Sequence, residues 1–97
     1  MRMLLKAQLS VEKANEAIRE GRLQEAMEAT LSSLKPEAAY FTVENGTRTA
    51  FIVFDMQDAS QMPVIAEPLF MGLDASIDFT PVMDAADLKK GLQQAMG

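Results

Sequence analysis

The first residues of the chain alternate between apolar and polar side chains, a pattern typical of a β-strand with one buried face. The apolar series is Met3, Leu5, Ala7 and Leu9. From Ser10, which suits a helix N-cap, the apolar spacing becomes helical. The apolar stripe changes direction around Gly21, which predicts a kinked helix or two helices. Pro36 predicts the end of this segment.

Two β-rich runs, residues 38–44 and 47–56, flank Asn45-Gly46. This dipeptide is typical of a two-residue type I′ hairpin. Such a turn fixes the register of the two strands and places Tyr40 opposite Phe51. The sequence therefore predicts a hairpin with a defined pattern of facing side chains.

The second half of the chain predicts a helix, a strand and a short last helix. Apolar residues recur at helical spacing from Met62 to Leu73, with a kink expected at Pro68 and a C-terminal cap at Gly72. Residues 75–83 predict a fourth strand, at a sheet edge because Pro81 lacks an N–H group. Asp84 and Asp87 then favour the start of a last helix, which needs docking to persist because it is short.

This order, βαββαβ followed by a helix, predicts an α+β, ferredoxin-like fold in a single domain spanning residues 1–97. Its four-stranded antiparallel sheet would carry the helices on one face. The apolar residues expected beneath the helices are Met3, Leu5, Ala7, Phe41, Val43, Ile52, Phe54, Ile77 and Phe79.

The other face of the sheet, here called the open face, is also partly apolar. Its apolar side chains are Leu4, Tyr40, Phe51, Val53 and Val82. Burying each of them fully is worth about 1.5 to 3 kcal/mol, so a second layer over this face is expected. A second copy of the chain would supply that layer by two-fold symmetry, which predicts a homodimer with its sheets paired.

Composition restricts the chemistry that the chain can perform. The sequence contains no His, Cys or Trp, which excludes zinc-thiolate sites, axial His ligation of haem and His-activated nucleophiles. We therefore expect no cofactor and no metal. The net charge of -5 argues against partners such as nucleic acid or an anionic membrane. A start without a signal-peptide pattern favours a cytoplasmic protein.

Residues 36–41 (PEAAYF) and 66–70 (AEPLF), together with the element order, resemble small uncharacterised bacterial members of the dimeric α+β barrel superfamily. The resemblance implies ferredoxin-like protomers that pair their sheets face to face, and it implies no particular reaction. Better-known relatives are quinone-forming and haem-degrading monooxygenases and muconolactone-isomerase-like proteins. The His and Trp residues of their pockets have no counterpart here, and Asn45 lies in a turn.

Polar side chains converge on the open face and predict a small-ligand site. The candidate ligand-binding residues are Lys6, Gln8, Tyr40, Phe51, Asp78 and Thr80, with Glu67 before Pro68 as a further candidate. Lys6 or Tyr40 can orient or protonate an anionic or phenolic ligand. The competing interpretations are a Lys6–Asp78 ion pair in a dimer interface and a solvated Glu67. Arg48 is expected to cap a helix or pair with Glu44.

These features favour a homodimeric small-molecule-binding or interaction module without catalysis. The alternative is a small cofactor-independent monooxygenase or isomerase that acts on an aromatic or lactone substrate, with Tyr40, Lys6, Asp78 and Glu67 as acid–base candidates. RNA-recognition domains share the element order, and residues 50–54 (AFIVF) fit part of their third-strand motif. The first strand has no aromatic residue and the chain is acidic, both of which disfavour RNA binding.

Overall fold

The computed structural model describes all 97 residues. The elements in chain order are β1 (Arg2–Gln8), α1 (Val11–Arg19), α2 (Arg22–Leu34), β2 (Ala38–Glu44), β3 (Thr47–Asp55), α3 (Gln61–Leu73), β4 (Ser76–Pro81) and α4 (Ala85–Ala95). The predicted α+β order is confirmed, and the first helical segment is two helices. Gly21 separates them in a left-handed conformation, with φ of 73°.

The four strands form one antiparallel sheet in the order β2-β3-β1-β4. The hairpin register is confirmed, because Tyr40 faces Phe51 and Phe41 faces Ala50. Both turn residues have positive φ, 53° at Asn45 and 76° at Gly46, as a type I′ turn requires. β4 lies at an edge, as Pro81 predicted.

The core lies between the sheet and the helices on one of its faces. Alternate residues of β1 and β3 point into it, and Leu5, Ile52 and Phe54 are its largest fully buried side chains. Side chains of α2 and α3 pack over them. A second cluster joins Ala14 and Ala17 of α1 to Leu69 and Leu73 of α3. Burial of these apolar surfaces is what holds the helices to the sheet.

Phe41 and Val43 were expected in this core, and that prediction is wrong. They point to the helix side of β2 but are 56% and 72% exposed. β2 is an edge strand, and the α2 side chains that reach the main core are Leu31 and Leu34, near the end of the helix. An apolar groove of about 220 Å³ therefore remains beside Phe41, with Leu23 and Met27 of α2 among its walls.

The C-terminal end of α3 also differs from the prediction. Gly72 lies within the helix, and Asp74 caps it with a left-handed φ of 47°. Extending the helix by one residue places Leu73 in the second cluster, where it is buried. This burial offsets the small cost of the left-handed conformation at Asp74, a residue type that tolerates it.

The last helix, α4, projects from the body. Asp84 caps it in a capping box with Asp87, as expected: the Asp87 N–H donates to Asp84 at 2.8 Å and the Asp84 N–H donates to Asp87 at 3.2 Å. No residue of α4 is buried. The longest dimension of the molecule is 56 Å, against 27 and 18 Å for the others. No helix of the chain combines the length and apolar character needed to cross a membrane.

Candidate functional site

The open face carries its side chains in transverse rows, because facing residues on neighbouring antiparallel strands lie side by side. The middle row crosses all four strands through Tyr40, Phe51, Lys6 and Asp78. Four of the predicted ligand-binding residues therefore share one row.

The rows on either side of this middle row differ in polarity. The row towards α4 contains Ala38, Val53, Leu4 and Thr80 and is mainly apolar. The row towards the hairpin turn contains Thr42, Thr49, Gln8 and Ser76 and is entirely polar. From the hairpin turn towards α4, the open face thus passes from the polar row through the aromatic and charged middle row to the apolar row, and the row beyond it, Arg2 and Asp55, is charged.

The ammonium group of Lys6 binds Glu44, at 2.7 Å from Oε1. The expected Lys6–Asp78 ion pair is not formed, so that prediction is wrong. Lys6 reaches across β3, where its Nζ lies 5.8 Å from the centroid of the Phe51 ring. The Lys6 and Glu44 side chains are only 30% and 35% exposed, whereas Asp78 lies exposed on an edge strand. The better-shielded carboxylate and the aromatic face together stabilise the cation on the β2 side.

Thr49 lies beneath the diagonal from Lys6 to Glu44. The registers put Thr49 two residues from Phe51, which faces Lys6, and two from Thr47, which faces Glu44. Thr49 is only 3% exposed although it is polar and on the open face, and its hydroxyl donates to the carbonyl oxygen of Thr47 at 3.2 Å. The register therefore places Thr49 between the strand positions that the Lys6–Glu44 pair connects within a single protomer.

Apart from Lys6 and Phe51, the candidate ligand-binding residues are mostly exposed. Tyr40, Asp78 and Thr80 lie on the two edge strands of the open face with their side chains exposed, and Gln8 lies half-buried on β1. Glu67 lies on α3 in the helix layer, exposed and apart from the other six. The structure therefore brings together six of the seven candidates.

The predicted hairpin register assigned Glu44 and Thr49 to the open face, but neither was included among the candidate ligand-binding residues. The hairpin register already assigned Glu44 to the same face as Tyr40, so a diagonal pairing with a long Lys6 side chain was available as a signal. Arg48 was expected to cap a helix or pair with Glu44, and both expectations are wrong. Its guanidinium donates to the side-chain oxygen of Asn15 on α1, at 3.1 Å. Arg48 points to the helix side of β3, whereas Glu44 points to the open face.

A cluster of charged residues lies at the end of the sheet where α4 begins. Arg2 contacts Glu37 at 2.5 Å, Asp84 at 3.3 Å and Asp87 at 3.2 Å. Arg2, Glu37 and Asp87 line an open recess of about 830 Å³ at the base of α4. Because Arg2 is already surrounded by three carboxylates, it has little attraction left for an anionic ligand. Its evident effect is to hold the first turn of α4 against the sheet.

We expect Asp84 to stay ionised to unusually low pH. The N–H group of Asp87 lowers the pKa of the Asp84 carboxyl, and the positive charge of Arg2 contributes less. The stabilisation is therefore complete above the ordinary Asp value of about 3.9 and is lost as the pH falls through the lowered value. Carbon NMR titration of the carboxyl group measures this directly. In Arg2→Gln the pKa should remain low because the backbone donor remains, and titration of Asp84 at its ordinary value would contradict the assignment.

The geometry defines a small α+β domain of ferredoxin-like type, with helices on one face of a four-stranded sheet and a partly apolar open face. The chain belongs to the family described as Domain of unknown function (DUF3303), whose model matches residues 1–96. No curated protein and no solved structure matches the chain.

Proposed function

We propose that the protein is a homodimeric module that pairs the open faces of two sheets and binds a small amphipathic molecule between them. The observation that supports this proposal is the polarity change across the open face. Its apolar row, led by Leu4 and Val53, is suited to contact with another apolar surface. The adjacent Tyr40, Phe51 and Lys6 offer two aromatic rings and one cation on the same face.

The ligand chemistry follows from the middle row. A flat apolar or aromatic group can stack between the sheets near Phe51 and Tyr40. A phenolic or anionic end can then approach Lys6 and the amide of Gln8. Because the Lys6–Glu44 pair remains about one-third exposed, Lys6 can exchange part of its contact with Glu44 for a ligand oxygen. The ligand class is therefore a small molecule with one apolar and one acidic or hydroxylated end.

Sedimentation of the wild-type protein over a dilution series tests the dimer. A stable sheet-to-sheet pair should sediment as a dimer at micromolar chain concentration. Sedimentation as a monomer throughout that range would contradict the proposal.

Binding of anilinonaphthalene sulfonate, an aromatic anion, tests the ligand site. We expect Lys6→Met to weaken its binding about tenfold, the equivalent of about 1.4 kcal/mol, because the cation near Phe51 is lost. Lys13→Met is the matched control, since Lys13 lies on α1 and pairs with Glu16. Fluorescence titration measures all three proteins. Equal binding by Lys6→Met and wild type would exclude Lys6 from the site.

A further inference from the structure

α4 and its C-cap residue carry an apolar stripe that the protomer covers only in part. The stripe consists of Leu88, Leu92 and Met96, which are 47%, 53% and 85% exposed. Their spacing of four residues places them on one side of the helix. A helix of this length, 11 residues, is marginal in water without tertiary packing. α4 therefore needs an apolar surface from outside its own protomer, or it must fold back.

The first turn of α4 is fixed in a way that opposes folding back over the helix layer. Arg2 belongs to the open-face series of β1, and it contacts both Asp84 and Asp87. Swinging α4 onto its own helices would break both contacts. The base of α4 is thus held on the side of the sheet where a second protomer is proposed to lie.

The polarity of the open face determines where two such helices would meet. Burial is greatest when the apolar row of one protomer covers the apolar row of the other. A two-fold axis along the strands achieves this with both faces fully overlapped, because it leaves position along the strand direction unchanged. An axis along the apolar row, which lies off the centre of the face, would leave the polar row of each protomer uncovered. The same axis brings both copies of α4 to one end of the dimer, each beside the other protomer.

The area of the open face points to the same contact. Four strands spaced about 4.8 Å apart and about 22 Å long give a footprint of about 400 Å² per protomer. Specific, stable interfaces bury about 800 Å² per partner. The flat footprint of the sheet face, which does not count the relief of its side chains, is about half of this accessible area, and each α4, about 16 Å long, offers a further apolar strip.

We propose that α4 is an arm that packs Leu88, Leu92 and Met96 against a second copy of the chain, so that in the dimer each arm packs on the other protomer. This inference rests on the proposed homodimer. It adds a second contact surface, separate from the sheet faces, and a role for the Arg2 cluster as the anchor of the arm.

The test uses the double variant Leu88→Glu with Leu92→Glu, whose side chains are exposed in the protomer and whose replacement should leave the body folded. We expect the dissociation constant of the dimer to rise at least about a hundredfold. The matched control, Lys90→Gln with Gln94→Glu, lowers the net charge by the same two units on the opposite side of α4 and should dimerise like the wild type. Sedimentation equilibrium measures the dissociation constants.

Photocrosslinking identifies what the arm contacts. Because the chain has no cysteine, Leu92→Cys provides a single attachment point for a benzophenone maleimide. In a mixture of isotopically labelled and unlabelled protein, crosslinks between the two kinds of chain are expected. Crosslinks confined to one chain would overturn the proposal. If the wild type is a dimer and the Leu88 and Leu92 changes leave it intact, the arm is excluded and the homodimer stands. If the wild type is a monomer, both the arm and the homodimer are excluded.

Discussion

Phe54→Ala should cost about 3 to 5 kcal/mol of the free energy of unfolding. Phe54 is 2% exposed on the central strand β3, and its ring meets Phe79 edge-on with 6.5 Å between centroids. Truncation would leave a cavity between the sheet and the helices that the surrounding elements can fill only partly. Since domains of this size are stabilised by about 5 to 15 kcal/mol, the loss would remove a large part of the total.

Urea denaturation at a fixed chain concentration measures this loss. Phe41→Ala is the matched control, because the same side chain is removed from an exposed position on the same sheet. Its cost should be below about 1 kcal/mol. Equal destabilisation by the two variants would mean that the helix layer does not cover the sheet as described.

Val53→Asp should strongly weaken the proposed dimer. Val53 lies half-buried in the apolar row of the open face, between Leu4 of β1 and Ala38 of β2. An unpaired carboxylate enclosed between two sheets would cost at least several kcal/mol or force the group to be protonated. The dissociation constant should rise by a factor of at least about 100, which corresponds to about 2.7 kcal/mol.

Sedimentation equilibrium measures the change, and circular dichroism establishes that the variant is folded. Val64→Asp is the control, because it makes the same replacement at an exposed position of α3 in the helix layer. Val53→Thr preserves the branched shape and should weaken the dimer less. Dimerisation of Val53→Asp with wild-type strength would place the interface elsewhere.

The sequence predicted the strands and their facing side chains because local chemistry determines them. Asn45 and Gly46 accept the positive φ values of the tight turn, and the turn then sets the register that brings Tyr40, Phe51 and Lys6 into one row. Alternation correctly assigned Phe41 to the helix side of the sheet. It could not show that the helix layer leaves this edge uncovered, since that depends on where the helices lie.

The ion pair of Lys6 was missed for a related reason. Register identifies neighbours directly across a ladder, and on that basis Asp78 was the expected partner. The actual partner, Glu44, lies two strands away and is reached diagonally over Phe51. Such contacts depend on the three-dimensional course of the sheet and on side-chain length, and neither appears in the alternation of residues. Glu67 was a candidate because it precedes Pro68, and the structure places it exposed on α3, apart from the residues of the open face.

The Lys6–Glu44 pair is complete within the single protomer, whereas the apolar stripe of α4 is not yet packed. This difference affects the kinetics of association. Lys6, Glu44 and Thr49 are already arranged within one protomer, so the open face can meet its partner as a preformed surface without waiting for a folding step. In the proposed arrangement, α4 would gain its packing only after that encounter. In the proposed dimer the sheet faces would therefore govern how fast two chains associate, and the arms would govern how long they remain together.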